Sequence, residues 1–149
     1  MNTLFRFEED LRETLPCVPM AVRYKLDVVG VKLQLKEWLK LSDPERRELL
    51  EWPWDSSADE DAFRARLTAM VARRTGAAPQ AMEPATPLWD LPDPPAALTE
   101  TAAAQGLSLG DAPWRGLSRL QRFALLKLSR PGHENRNFLS AVREFGLLP

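Results

Sequence analysis

Apolar positions recur along this chain with a helical period far more often than with a strand period. Val22, Leu26 and Val29 form one stripe. Phe63, Leu67, Met70 and Val71 stand at i, i+4, i+7 and i+8, and Phe138, Leu139, Val142 and Phe145 at i, i+1, i+4 and i+7. Each set places its members on one face of an α-helix. The stripes, read with their caps and breakers, predict helices over 20–29, 42–52, 57–74, 96–105, 118–129 and 134–145. The helix from Ser118 is the most apolar, with Leu120, Phe123, Ala124, Leu125, Leu126 and Leu128, and should be the most buried. Residues 5–15 read as a short strand or a helical turn. Val31, Leu33 and Leu35 alternate with Lys32, Gln34 and Lys36. That is either a strand or a turn leading into a helix through Trp38, and periodicity does not separate the two. The expected fold class is all-α: a compact bundle of five or six helices with at most a small β element.

The punctuation of these stripes is informative. Ser42 with Glu45, Ser57 with Glu60, and Ser118 with Gln121 have the capping-box spacing, in which two side chains satisfy two orphaned backbone N–H groups. Pro44 is tolerated in a first turn. Asp59, Glu60 and Asp61 suit the positive end of their helix, Arg73 and Arg74 the negative end, and Gly76 a C-cap. The segment from Gly30 through Leu33, Trp38, Ser42 and Arg46 to Leu50 recurs 76 residues later, without a gap, as Gly106, Leu109, Trp114, Ser118, Arg122 and Leu126. Two readings are open. One is an internal duplication giving two related helical halves. The other is that Trp-x-x-Leu-Ser-x-x-Glu-Arg is merely a common way to start a helix. Six of the thirteen prolines fall between 77 and 95, which reads as a semi-extended connector. The expected organisation is one helical domain, 1–149, with halves at about 19–76 and 96–149 joined by connector 77–95.

Charge refines this picture. The formal balance of −1 offers no global attraction to nucleic acid or an anionic membrane surface, so neither is an expected partner. The charge is blocky, however. Residues 22–40 carry five basic against two acidic groups, residues 41–62 eight acidic against two basic, and residues 111–149 seven basic against three acidic. Such blocks are solvated helix faces that pair with one another, or a basic surface that docks an acidic partner. The N-terminus turns acidic at once and has no long apolar run, so neither a signal peptide nor a membrane span is expected. A single cysteine excludes an intrachain disulfide and fits a cytoplasmic location.

Candidate chemistry is sparse. One cysteine and one histidine, Cys17 and His133, cannot build a usual Cys/His zinc site or an iron–sulfur cluster within one chain, so no metal or cofactor is expected. Cys17 lies between Pro16 and Pro19, where burial as a small apolar residue competes with a reactive thiol. His133-Glu134 could do acid–base work, yet nothing near it in sequence resembles a nucleophile with a positioned base. There is no phosphate-cradling Gly loop and no HExxH. The chain therefore reads as a non-enzyme. The last two predicted helices could imitate a helix-turn-helix with Asn135, Arg136 and Asn137 leading the second. A DNA-binding regulatory module is the alternative. Of five tryptophans, Trp38 and Trp114 read as core. Trp52, Trp54 and Trp89 are candidates for an exposed docking patch or for packing on their own domain.

Two stretches resemble the nitrate reductase-associated protein family. The first runs from Phe5-Arg-Phe-Glu-Glu-Asp10 through Pro16-Cys-Val-Pro-Met-Ala-Val-Arg-Tyr-Lys-Leu-Asp27 to Gly30-Val-Lys-Leu33 and Glu37-Trp38. The second comprises Leu120-Gln-Arg-Phe123, Lys127-Leu-Ser-Arg130, His133-Glu134, Asn137-Phe138 and Glu144-Phe-Gly-Leu147. Together they span roughly 4–50 and 114–148, and residues 77–112 carry no part of it. The resemblance implies a small bacterial accessory protein, typically encoded beside assimilatory nitrate reductase and molybdenum-cofactor genes. Such a protein helps the reductase become or stay active without reducing nitrate, and no catalytic residue is carried across. Its partner would be nitrate reductase or its maturation machinery. Position within the two matching stretches nominates Cys17, Arg23, Lys25, Arg122, His133 and Glu134 as contact or structural determinants, with Trp52 and Trp54 added as docking aromatics.

Overall fold

The computed structural model describes residues 4–130 and 137–147. Eight α-helices and one two-stranded antiparallel sheet are present among them, a mostly helical fold. No helix among the described residues is long and apolar enough to cross a membrane. The chain divides into two compact units, Met1–Thr86 and Pro87–Pro149.

In the first unit a 3-10 helix, Arg6–Leu11, precedes α1 (Met20–Val29). The prolines at 16 and 19 keep the link between them extended. Glu8 lies buried in that 3-10 helix, and its carboxylate accepts the Met20 backbone N–H at 2.8 Å. It thus places a negative charge at the positive end of α1. Gly30 ends α1 in the left-handed region at φ 74°. A Cβ there would sit 2.6 Å from the Met82 carbonyl oxygen, so glycine is required on both counts.

The alternation after Gly30 resolves into two short elements. Strand β1 (Val31–Lys32) is followed by α2 (Leu35–Lys40). β1 pairs with β2 (Gln80–Ala81), Val31 opposite Ala81 and Lys32 opposite Gln80. The proline-rich connector is therefore not one free segment. Its first part is a strand of this unit, fixed further by the Ala85 N–H donating to the Asp27 carbonyl at 3.0 Å. Its later part, including a 3-10 turn at Leu88–Asp90, belongs to the second unit.

Ser42 caps α3 (Asp43–Glu51), its hydroxyl accepting from the Glu45 N–H while the Glu45 carboxylate accepts from the Ser42 N–H. α4 (Ser57–Thr75) packs on α1, α2 and α3 through Phe63, Leu67, Met70 and Val71, all fully buried. The cap of α4 is Ser56, one residue earlier than the Ser57-Glu60 box predicts. Ser56 wins because it is the residue with extended backbone, and its hydroxyl accepts from the Asp59 N–H.

The second unit holds α5 (Ala96–Ala104), α6 (Asp111–Arg115), α7 (Arg119–Leu128) and α8 (Phe138–Glu144). Trp89 and Leu98 join Phe123, Leu125, Leu128, Phe138 and Val142 in its core. The predicted start of the last helix near Glu134 lies outside the described residues. The short α2 and α6 sit in the lead-in loops before each Ser cap, where periodicity is too brief to read.

The same scaffold appears in both units. Helices α1 and α5, α2 and α6, and α3 and α7 each begin 76 residues apart. Pro19 and Pro95 are their N-caps, and Gly30 and Gly106 are both left-handed, at φ 74° and 78°. This agreement extends far beyond the motif that starts α3 and α7.

Candidate functional site

The repeated scaffold centres on a tryptophan and an arginine. Trp38 and Trp114 are each fully buried, and each indole N–H donates at 2.8 Å, to the Leu15 and Leu91 carbonyls respectively. Those two acceptors are themselves 76 residues apart. A local helix-start motif says nothing about an acceptor that lies 23 residues before its donor, so chance recurrence of the motif does not explain the match. The chain is an internal structural repeat.

Arg46 completes the first copy. Its guanidinium donates to the carbonyls of Trp38 (3.1 Å), Leu39 (2.8 Å) and Thr14 (2.8 Å), and lies over the Trp38 ring. Arg122 does the same in the second, to Trp114 (3.1 Å), Arg115 (3.0 Å) and Trp89 (3.0 Å), over the Trp114 ring. A planar fork with five donors suits three carbonyls that end a short helix and a preceding loop. Arg122, expected to be a contact or structural determinant, is the centre of a structural clamp. Arg46, its equivalent, escaped nomination. The shared spacing from the cap serines could have revealed it.

Lys25 is the second ion inside the fold. Its ammonium is fully buried and donates to the carbonyls of Leu49 (3.1 Å), Leu50 (3.0 Å) and Trp52 (2.8 Å), at the C-terminus of α3. A helix end leaves carbonyls short of donors, Leu49 accepting the Trp52 N–H only at 3.4 Å, and the dipole favours a cation there. Burial pulls the ammonium down to about 8. Trp54 and Phe63 stand 5.8 Å from the nitrogen, a partial aromatic lid. Trp52 and Trp54 are half-buried and pack on Phe63 edge to face, and Trp54 also meets Tyr24. The structure therefore brings together three nominated residues, Lys25, Trp52 and Trp54. In the second copy Thr101 stands at the Lys25 position, and its hydroxyl reaches the Ser129 carbonyl at 3.2 Å. That hydroxyl also lies 3.1 Å from the Ala97 carbonyl of its own helix, so one shared neutral donor stands where the first copy has a cation.

Glu45 is a third hub. Besides capping α3, its carboxylate receives Arg73 at 2.7 Å and Arg74 at 2.9 Å from the end of α4. Burial alone would raise its pKa. The Ser42 backbone and the two guanidinium groups outweigh that and hold it at about 2. The two arginines predicted to suit the end of their own helix are thus spent on tying α4 to α3.

The remaining nominees separate. Cys17 is exposed, against the expectation of burial, because the prolines on either side hold its loop extended along the surface. Arg23 lies beside it, its Nε donating to the Val18 carbonyl at 3.1 Å. His133 and Glu134 lie outside the described residues, as do Asn135 and Arg136. Trp89, a candidate for an exposed patch, is buried against Phe123, ring centroids 5.6 Å apart. No group of three His, Cys, Asp or Glu side chains able to hold a metal ion stands together among the described residues. Every buried side-chain N or O atom among them has a hydrogen-bond partner.

These features define a mostly helical, internally repeated protein whose buried ions are engaged with main-chain carbonyls and with one another. The chain belongs to the conserved nitrate reductase-associated protein family, whose family model matches residues 4–145. The match runs through the middle of the chain, which carried no resemblance by eye. No curated protein and no solved structure matches the chain.

Proposed function

We propose that this chain is an accessory protein of assimilatory nitrate reductase, acting by binding and not by catalysis. It docks on the reductase or its maturation machinery in the cytoplasm and holds the immature enzyme receptive to molybdenum-cofactor or iron–sulfur insertion. The observation that carries this reading is the family match over residues 4–145, because the family's description ties the chain to nitrate reductase. The geometry supports it. Lys25, Arg46 and Arg122 donate to main-chain carbonyls, and Glu45 is shared between a cap and two arginines. Charged groups so engaged build a rigid scaffold, which leaves surface recognition as the work on offer.

The test is deletion of the gene with nitrate as sole nitrogen source, together with affinity capture of the tagged chain. Reductase activity should fall, return on complementation, and the cofactor-free reductase should co-purify in preference to the loaded enzyme. Unchanged activity together with no captured reductase refutes the proposal.

A further inference from the structure

α2 carries an apolar face that its own unit does not cover. Trp38 faces inward and is fully buried, while Leu35 and Leu39 are 51% and 47% exposed. Residues at i and i+4 are neighbours on a helix surface, so the two leucines form one small stripe. Lys32, Lys36 and Lys40 are exposed around it and have no ion pair among the described residues. Glu37, the one carboxylate on α2, accepts the Gln34 N–H at 2.8 Å and leaves the three lysines in excess by two charges. A shallow groove lined by Gln34, Lys36, Glu37, Lys40, Thr75 and Gln80 lies on the lysine side of α2.

The second copy supplies an internal control. At the positions of Leu35 and Leu39 it has Asp111 and Arg115, and Arg115 pairs with Asp93 at 3.1 Å. At the positions of Lys32, Lys36 and Lys40 it has Ser108, Ala112 and Gly116. The scaffold therefore needs neither the leucines nor the lysines to form this helix and its clamp. A solvent-facing pair of leucines beside a net positive charge costs solubility and repels a second copy, and the second repeat forms the same helix without it.

We propose that the Leu35–Leu39 face of α2, with Lys32, Lys36 and Lys40, is the docking surface for an amphipathic, acidic helical segment of a partner protein. The proposal rests on the accessory-binding reading and gives it a surface. Two apolar anchors call for two on the partner at the same spacing, and three unpaired cations call for carboxylates beside them. A second copy would set lysines against lysines, so the fit is to an acidic segment and not to another copy of this chain.

The experiment is an NMR titration of the ¹⁵N-labelled full chain. The probes are two short synthetic helical peptides with identical leucine spacing, one flanked by glutamates and the other by lysines. The glutamate peptide should shift amides of 32–40 and bind more weakly as salt rises, and the lysine peptide should not bind. The double variant Leu35→Asp, Leu39→Arg carries the residues of the second copy and so keeps the fold, checked by circular dichroism. It should lose at least about tenfold in affinity, the size expected for a central anchor pair. An unmoved 32–40 segment, equal binding of both peptides, or full binding by the double variant overturns the proposal. So does sedimentation with phosphatidylserine vesicles, or self-association, that the same double variant abolishes while the glutamate peptide fails to bind. Reductase capture keeps the two readings apart. Capture undiminished in the double variant sinks the surface and leaves the accessory role. Peptide binding at 32–40 with no reductase captured sinks the named partner and leaves the surface.

Discussion

Replacing Arg46 by methionine tests the clamp that defines each repeat. Methionine keeps most of the buried stem and removes the donors, so the change reads hydrogen bonding more than volume. Hydrogen bonds involving a charged group contribute about 1.5–3 kcal/mol each. The structure reduces the simple total. The Trp38 carbonyl also accepts the Leu41 N–H at 3.1 Å and so remains partnered. Thr14 and Leu39 are exposed residues whose carbonyls can turn to water. What is lost is the joining of a loop, the end of α2 and the start of α3 by one group. A cost of about 2–4 kcal/mol follows, less than three full charged hydrogen bonds and more than a surface contact. Arg46→Lys should recover less than half, because a single ammonium cannot reproduce the planar fork over Trp38. Urea denaturation followed by circular dichroism gives the midpoint. Amide hydrogen exchange in α2 and α3 localises the loss, which matters because two units need not unfold together. A loss under about 1 kcal/mol for Arg46→Met, or full rescue by lysine, would show that the clamp is incidental to stability.

Three further outcomes follow from single sites. Gly30→Ala should destabilise by about 1–3 kcal/mol more than Gly76→Ala, since both are left-handed but only Gly30 meets a carbonyl oxygen, at 2.6 Å; equal melting temperatures for the two variants would contradict this. Glu45 has a folded pKa of about 2, below its unfolded value, so its stabilisation is whole above the unfolded pKa and drains away as pH falls toward 2. Glu45→Gln should therefore flatten the stability-versus-pH curve between about pH 4.5 and 2, and an unchanged acid limb in urea melts would count against the hub. The exposed Cys17 thiol should react with a disulfide reagent in the native protein at close to its rate in urea; protection that vanishes only on unfolding would place it inside.

Local physics made much of the fold legible. The stripe Phe63, Leu67, Met70 and Val71 is the buried face of α4, and Gly30 and Gly76 are left-handed C-caps where the helical stripes stop. Ser42 and Ser118 cap as their spacing predicts, because a capping box is complete within four residues. What escaped was set at a distance. Glu8 caps a helix that begins 12 residues later, and Gln80–Ala81 finds its partner strand across the chain. Arg46 shows in sequence only as a repeat position, because its acceptor at Thr14 is 32 residues away. The site divides the same way. Lys25, Trp52 and Trp54 were nominated separately and meet at one helix end. The exposed leucines of α2 do not stand out in sequence, because the alternation over 31–36 fits a strand as well as a helix entry and so assigns Leu35 no face.

A repeated scaffold lets one chain report on itself. Positions that hold the same geometry in both copies keep the same residue: proline before the first helix, glycine after it, tryptophan and arginine in the clamp, and serine at the cap. Positions that differ are those the scaffold leaves open. Cys17 corresponds in sequence to Asp93, Lys25 to Thr101, and Leu35 and Leu39 to Asp111 and Arg115. Lys25 and Thr101 differ in charge yet both reach carbonyls at the end of the following long helix, so that difference is absorbed inside the fold. The α2 difference is not absorbed. It puts two leucines and three lysines into solvent in one copy, and in the other a short polar helix whose Arg115 pairs with Asp93. If those leucines merely filled a gap in the first unit, exchanging them for Asp and Arg would lower its stability. If they serve a partner, the exchange leaves the melting curve in place and removes binding. That contrast, stability held while recognition fails, separates a packing residue from a contact residue at this face.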